Sequence, residues 1–572
     1  MRKSIILALA AAAFTLTSCD DFLEKDPRNT FTEEPSLWNN ENVVESYTNR
    51  FYTNFVGFSQ SGAYGWFYFK SLGDDQARSS LDDWTYKTIP STSSEYNNWF
   101  TEVRRANFVL QKLSTSTLKD DVKSKYTAIA RLARAWDYYM LVREYGDIEW
   151  IDYPITDPDD EKIYGERDKR DVVMDKVLED LDYAITNLGS SSDKTKWSKN
   201  MALAMKSDIC LYEGTFSKYR TTTENDLAPD PDRAKKYLEE SAKASEALMG
   251  KYKLSDKYGD IYNSLSLNSN NEIIFFRNYK KDVVMHGLVD YTCGSTEQWG
   301  ITRDAFDAFL FKDGKPLANT GLDKSDLAVK NADGNYSIKK ALDNRDPRLS
   351  VLIDSIVCFK GHGWKRPAPA AAGGANMTSA TGYTIFKYDN QTLESYYRTN
   401  TTTGYTDAPI FWYSVILLNY AEAKAELGTI TQADLDNSVN LIQKRAFGND
   451  NAKITLNPEH DDANNHGVSD LIWEIRRARR CELMLDNWYR YWDLIRWHQL
   501  DKIDTHDYPK VNMGAHVGTN ITVEDGPTIT SDGYIQATKA ERRFDKKYYL
   551  YPIPSQQITL NPAIKQNFGW TK

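Results

Sequence analysis

Apolar positions along this chain recur mostly at helical spacing. Between Glu95 and Leu113, the residues Trp99, Val103, Ala106 and Leu110 follow one another at intervals of 4, 3 and 4, which marks one buried helix face. Val122–Tyr145 repeats the pattern with Ile129, Leu132, Ala133, Trp136, Tyr139 and Met140. Further helices are predicted over Arg170–Leu188, Asn200–Tyr219, Pro231–Met249, Phe411–Leu427, Gln432–Phe447 and Ser469–Asp486, with a helical run continuing through Leu500. Pro231 suits a first helical turn, and the Ala-, Glu- and Lys-rich stretch behind it is strongly helix-forming. Between these segments lie long irregular ones: Phe58–Tyr96, Asn268–Gly300 with a strand-like core at Ile273–Phe276, Gly361–Asp407 and Asp504–Ala540. Loops of that length within a folded domain often carry function.

Small residues recur at repeating offsets: Ala202, Ala204 and Gly214, then Ala234, Ala242, Ala244 and Ala247, then Ala421, Ala423 and Ala425. They let antiparallel helices approach closely. The fold class expected is mainly α: a tetratricopeptide-like scaffold of helical hairpins, without a strict period, with long irregular loops and a few short strands. An irregular helical domain fits the same periodicity. At 572 residues the chain is long enough for a large core without disulfide or metal staples. The formal charge of −10 leaves no basic footprint for nucleic acid. The aromatic residues are dominated by 36 Tyr and 15 Trp, which pair an apolar body with a polar handle and suit binding surfaces.

The first 18 residues form a secretory leader: Arg2 and Lys3, an apolar stretch from Ile5 to Phe14, then Leu16-Thr17-Ser18-Cys19. The apolar stretch is too short to span a bilayer. Small residues directly before a cysteine resemble a bacterial lipobox, so Cys19 is expected to become the acylated first residue of the mature chain and its membrane anchor. The acidic Asp20-Asp21-Phe22-Leu23-Glu24-Lys25 behind it resembles the export tag of surface lipoproteins, or serves as a solvated tether. The remaining cysteines, Cys210, Cys293, Cys358 and Cys481, match no zinc or redox spacing. Cys210 and Cys481 fall in helical patterns as small buried apolar residues. Pairing is open to these thiols outside the cytoplasm, and no spacing calls for it.

Catalytic motifs are missing. There is no GxSxG elbow, no HExxH, no phosphate-binding glycine loop and no dinucleotide fingerprint. The seven histidines never pair at helical ligand spacing. Asp157-Pro158-Asp159-Asp160 and Asp230-Pro231-Asp232 lack the register and glycine of a calcium loop. No cofactor or metal is therefore called for, and a structural calcium ion is not indicated.

Several segments in order resemble the SusD/RagB family of Bacteroidetes surface lipoproteins. They are the Cys19–Glu24 start, Trp99-Phe100 with Arg105–Leu110, Ala133–Tyr139 with Tyr145-Gly146-Asp147, Asp313-Gly314-Lys315, and Arg345–Leu349. Leu417–Ala423, Arg480–Leu483, Asp493–Trp497 and the end from Tyr551-Pro552-Ile553-Pro554 to Gly569-Trp570 complete the series. Asp486-Asn487-Trp488-Tyr489, Trp412 and Val415 depart from the family pattern, so family salt bridges there are not carried over. On a helix, Asp493 lies three residues from both Arg490 and Arg496 and can pair with either. Asp346-Pro347 marks a helix start or turn, and Tyr551–Pro554 reads as an extended strap.

The resemblance implies residues 1–18 as leader, 19–250 as an N-terminal helical part and 251–572 as a C-terminal part, packed as one unit. It also implies capture of an oligosaccharide, or in some members a peptide, for a SusC-like TonB-dependent transporter, without catalysis. A sugar's C–H face lies on Trp or Tyr, and its hydroxyls need carboxylates, amides or Arg. Family members carry such aromatics before the first conserved helix and in mid-chain. This favours Trp84 and Tyr86 as platforms, Asp75 and Arg78 as polar contacts, and Tyr291 and Trp299 on the opposite wall, with Trp364 a weaker candidate. Trp66, Phe67 and Tyr68, then Asp290, Glu297 and Gln298, lie in the same stretches. A surface glycoside hydrolase and a purely structural scaffold are the rival readings.

Overall fold

The computed structural model describes residues 35–55, 57–58, 72–221, 228–288, 297–367, 376–400, 402–486, 489–521 and 526–570. Cys19, Trp66, Phe67, Tyr68, Asp290, Tyr291 and Cys293 lie outside them. The architecture is mainly α-helical. Its principal helices are α1 (Ser94–Thr115), α2 (Asp120–Tyr145), α3 (Arg170–Asn187), α4 (Lys199–Tyr219), α5 (Pro231–Glu246), α6 (Tyr413–Glu426), α7 (Val439–Phe447), α8 (Asp470–Glu482) and α9 (Tyr489–Arg496). Strands are short: β1 (Gln76–Ala77), β2 (Ile273–Arg277), β3 (Glu297–Gln298), β4 (Gly300–Ile301), β5 (Trp364–Lys365), β6 (Asn376–Ser379) and β7 (Ala408–Trp412) are those that matter here.

Successive helices pack in chain order from α1 to α6, and α6 then packs on α8. Side-chain caps start them. Ser93 accepts from Tyr96 N at 3.2 Å, Asp230 from Arg233 N at 2.9 Å ahead of Pro231, and Ser469 from Ile472 N at 3.3 Å. The small-residue faces permit close approach: a Cβ on Gly214 of α4 would meet Leu238 Cγ of α5 at 2.8 Å. On the same interface the Ser207 and Ser245 hydroxyls lie 2.8 Å apart. Buried ion pairs tie other helices together. Arg134 of α2 grips both oxygens of Asp180 on α3 at 2.8 and 2.9 Å, and Arg170 reaches Glu213 of α4. One continuous apolar core runs from Trp38 to Ile564. Antiparallel β2 and β7, both almost wholly buried, lie against α4 within it.

Several boundaries differ from the expectation. Phe411 belongs to β7, not to the following helix, because its strand pairs with β2 and α6 begins only at Tyr413. The helix expected over Gln432–Phe447 is broken into Gln432–Asp436 and α7. Ser438 bonds back to the Asp434 carbonyl at 2.5 Å, competing with the helical ladder at that point. Helix α8 stops at Glu482, and Leu485 then adopts φ of 67°. Asp346 caps the helix Pro347–Leu352, and the strap hydrogen-bonds to α2 through Tyr551 N and Glu144 O at 2.7 Å. Cys210, Cys358 and Cys481 are buried free thiols. No helix among the described residues is long and apolar enough to cross a membrane.

Candidate functional site

The short pairing of β1 with β4 brings the two sequence-predicted stretches together, with Gln76 opposite Ile301 and Ala77 opposite Gly300. Just past β1, Arg78 bonds to Asp82 at 2.8 Å and lies 4.7 Å over the Trp299 ring. Trp299 in turn donates its indole N–H to the other Asp82 oxygen at 2.8 Å. Arg78 keeps over a third of its side chain in solvent, whereas Trp299 is 7% exposed. Trp364 sits half-buried on β5, two strands from Trp299's neighbours on β3 in the sheet β3-β6-β5.

Trp84 and Tyr86 occupy a different setting. Trp84 is 6% exposed, stacks flat on Tyr548 at 4.1 Å and donates to the Arg543 carbonyl at 2.8 Å. Tyr86 is half-buried, shares a 3.1 Å hydrogen bond with Ser93 at the start of α1 and meets Tyr551 edge-on. Tyr86 ties the strap Tyr551–Pro554 to the start of α1, and Trp84 packs against the segment just before the strap. Asp75 is buried and accepts from Arg480 at 2.8 Å. Burial and the adjacent charge of Asp74 push it up to about 6, against the pull of Arg480. Burial acts on Asp74 too, but Arg480 and Arg490 together hold its carboxyl well below the usual range.

On the other side of Asp74 opens a cavity of about 250 Å³. One face of α8 supplies Trp473, Arg476, Arg477 and Arg480, spaced so that they align along the helix. Trp473 from α8, His466 from the loop before it and Tyr508 from a later segment line the cavity as half-buried rings. The floor is charged. Arg490 grips Asp74 through two bonds of 2.8 and 2.7 Å, and Arg480 also reaches Asp304 at 2.8 Å. Arg477 pairs with Asp461, and Arg476 with Glu426 at 2.9 Å while lying 4.4 Å over Trp497. Lys510 pairs with Asp307 at 2.9 Å. Lys502, on the 3₁₀ turn Leu500–Ile503, has no carboxylate within ion-pair distance among the described residues and sits 5.0 Å from the Trp473 ring centre. Burial, then repulsion from Arg490, lowers its ammonium to about 7. Burial, with Lys502, Arg490 and Arg476 nearby, lowers His466 to about 4.

Sequence reading missed this cavity, although its signal is present in the Trp473, Arg476, Arg477, Arg480 spacing. It also allowed Arg490 to pair with Asp493. The tertiary fold gives Arg490 to Asp74 instead, and Asp493 pairs with Arg496 at 2.8 Å and Arg479 at 2.9 Å. No group of acidic, histidine or cysteine side chains among the described residues is arranged to hold a metal ion.

Residues 271–570 match the SusD family, and residues 21–211 match a family described as starch-binding, associating with the outer membrane. The chain belongs to the SusD family. A SusD-like protein of Bacteroides ovatus is 21% identical, the alignment covering 99% of this chain and 97% of that protein. Among solved structures, a SusD-like carbohydrate-binding protein from Bacteroides fragilis superposes with a TM-score of 0.68 at 19% identity, covering 93% of this chain and all of that one. The surface glycan-binding protein A from Bacteroides fluxus gives 0.59 at 17% identity, over 93% of this chain. These likenesses establish the SusD-like fold. Membership of the SusD family carries a non-catalytic, nutrient-binding role at the outer membrane beside a TonB-dependent transporter.

Proposed function

We propose that this SusD-family protein is anchored through acylated Cys19, captures an oligosaccharide and passes it to a SusC-like TonB-dependent transporter without cleaving it. The observation that carries this reading is the cavity beside β1, where half-buried Trp473 and Tyr508 stand over a floor of hydrogen-bond donors. Flat rings accept the C–H face of a sugar and fixed donors take its hydroxyls, the usual composition of a small-molecule site. Its size suits a single sugar ring, so the rest of an oligomer would run outward across the surface. Arg78 and Trp299, at the far end of β1, are the second contact in this proposal. Asp75 acts through Arg480 as a positioning residue. Trp84 and Tyr86 hold the loop that carries Asp82, and Tyr291 completes the sequence-predicted set. The relatives named as carbohydrate- or glycan-binding support the ligand class.

The test is calorimetric titration of the full-length chain in detergent with a panel of oligosaccharides, followed by product analysis. Binding without new reducing ends is the expected result; new reducing ends would overturn the reading in favour of a hydrolase. Mass spectrometry of the native chain checks for acyl groups on Cys19.

A further inference from the structure

Of the cations lining the cavity, Lys502 alone lacks a carboxylate among the described residues. Asp74 is already bound by Arg490 and Arg480, Asp304 by Arg480, Asp307 by Lys510 and Asp461 by Arg477. A half-buried ammonium with no carboxylate at ion-pair distance is costly, and its contact with the Trp473 ring offsets only part of that cost. The aromatic rim and the uncompensated cation lie in one space: the Lys502 ammonium is 5.0 Å from the centre of the Trp473 ring. A ligand stacked on that ring would bring its substituents to the ammonium. We propose that the cavity selects an acidic sugar, whose carboxylate or sulfate group takes the missing place opposite Lys502. This rests on the reading of the cavity as the glycan site and names the class of glycan.

The surroundings agree. The groups facing Lys502 are Asp74 ahead of β1, Arg480 on α8, Arg490 on α9, Asp304 on the helix Arg303–Ala308, and His466 on the loop before α8. Burial and the cations among them hold Lys502 down to about 7, so at pH 8 much of it is neutral. An anion arriving there stabilises the charged form, so binding is accompanied by proton uptake at that pH.

The experiment titrates the full-length chain at pH 8 with four probes: a galacturonic-acid oligomer, a sulfated galactose oligomer, the matching uncharged galactose oligomer, and hexa-aspartate. Buffers of different ionisation enthalpy report the proton uptake. At least one acidic sugar is expected to bind about tenfold or more tighter than the uncharged one, with proton uptake. Lys502→Met, which keeps the length of the stem, is expected to abolish both effects, and Lys502→Arg to restore the preference without the uptake. The stronger of the two acidic sugars tells carboxylate from sulfate. Equal binding of charged and uncharged sugars, or a preference that survives Lys502→Met, overturns the inference and leaves the glycan reading standing. Binding of hexa-aspartate with no binding of any sugar overturns both.

Discussion

Helix α8 borders two charged regions that are built to opposite rules. On one side Arg496 clasps both oxygens of Glu422 at 2.6 and 2.8 Å, Asp493 takes Arg496 and Arg479, and Arg479 donates to Asn419 at 2.8 Å. These charges answer one another, and the space beside Arg479, Asp493 and Arg496 is only about 40 Å³. On the other side Arg476, Arg477, Arg480 and Lys502 surround open space, and Lys502 is left without an acidic partner among the described residues. The first region joins α6, α8 and α9 and belongs to the fold. The second carries positive charge beyond what the fold uses, which is where perturbed titration tends to mark a functional site.

The contrast is broken most severely by Glu422→Ala, which strips buried Arg496 of one of its two carboxylates, leaving only Asp493, and takes the acceptor of the Trp497 indole N–H. It is expected to cost about 3–5 kcal/mol in denaturant unfolding, the penalty typical of a half-removed buried pair. Gly214→Ala tests the scaffold without touching charge. Its Cβ would lie 2.8 Å from Leu238 Cγ and 2.9 Å from the Leu238 backbone nitrogen, so overpacking is expected to cost about 1–3 kcal/mol. Lys502→Met goes the other way and is expected to raise stability by about 1 kcal/mol at neutral pH, since it removes an unpaired charge.

The two regions should also answer pH in the same direction but in separate windows, because in each the unfolded chain holds the extra proton. Burial resists ionisation of Glu422, yet Arg496, Arg479 and Arg476 pull its carboxyl down to about 2. Its contribution is present above its unfolded value near 4.5 and is lost as pH falls towards 2. Lys502 is a base lowered from 10.5 to about 7, so the unfolded chain holds the extra proton between those values. Stability should therefore rise from pH 7 to 10 through this group, and Lys502→Met should flatten that part of the profile relative to wild type. The smallest effect is expected for Arg78→Met, about 0.5–1 kcal/mol by thermal unfolding, because its cation–π contact on Trp299 is partly solvated.

Local pattern was enough for the helices. The 4, 3, 4 spacing in α1 and the Ala-rich face of α5 arise from short-range geometry, and each of these helices lies where its apolar stripe put it. It failed where a long-range partner competes. Phe411 has helix-like neighbours, but β2 lies across from it and makes it a strand residue. The site was legible only in part. Arg78 and Trp299, which the sequence reading set on opposite walls, lie directly against each other, while Trp84 and Tyr86, equally aromatic and equally loop-borne, are consumed by Tyr548, Ser93 and Tyr551. Nothing in a one-dimensional pattern separates an aromatic that meets solvent from one that packs against a distant part of the chain, as Trp84 does at Arg543, 459 residues later, and at Tyr548.

The order of residues alone determined the helical scaffold, the family signatures and the absence of recognisable catalytic motifs, because periodicity, caps and motifs act over a few residues. Only the three-dimensional fold decided which charges cancel. Asp74, Arg480, Arg490 and Lys502 come from four separate segments. Whether a cation ends up paired depends on which carboxylates tertiary packing brings within a few ångströms, and Coulomb energy in a buried site is steep in that distance.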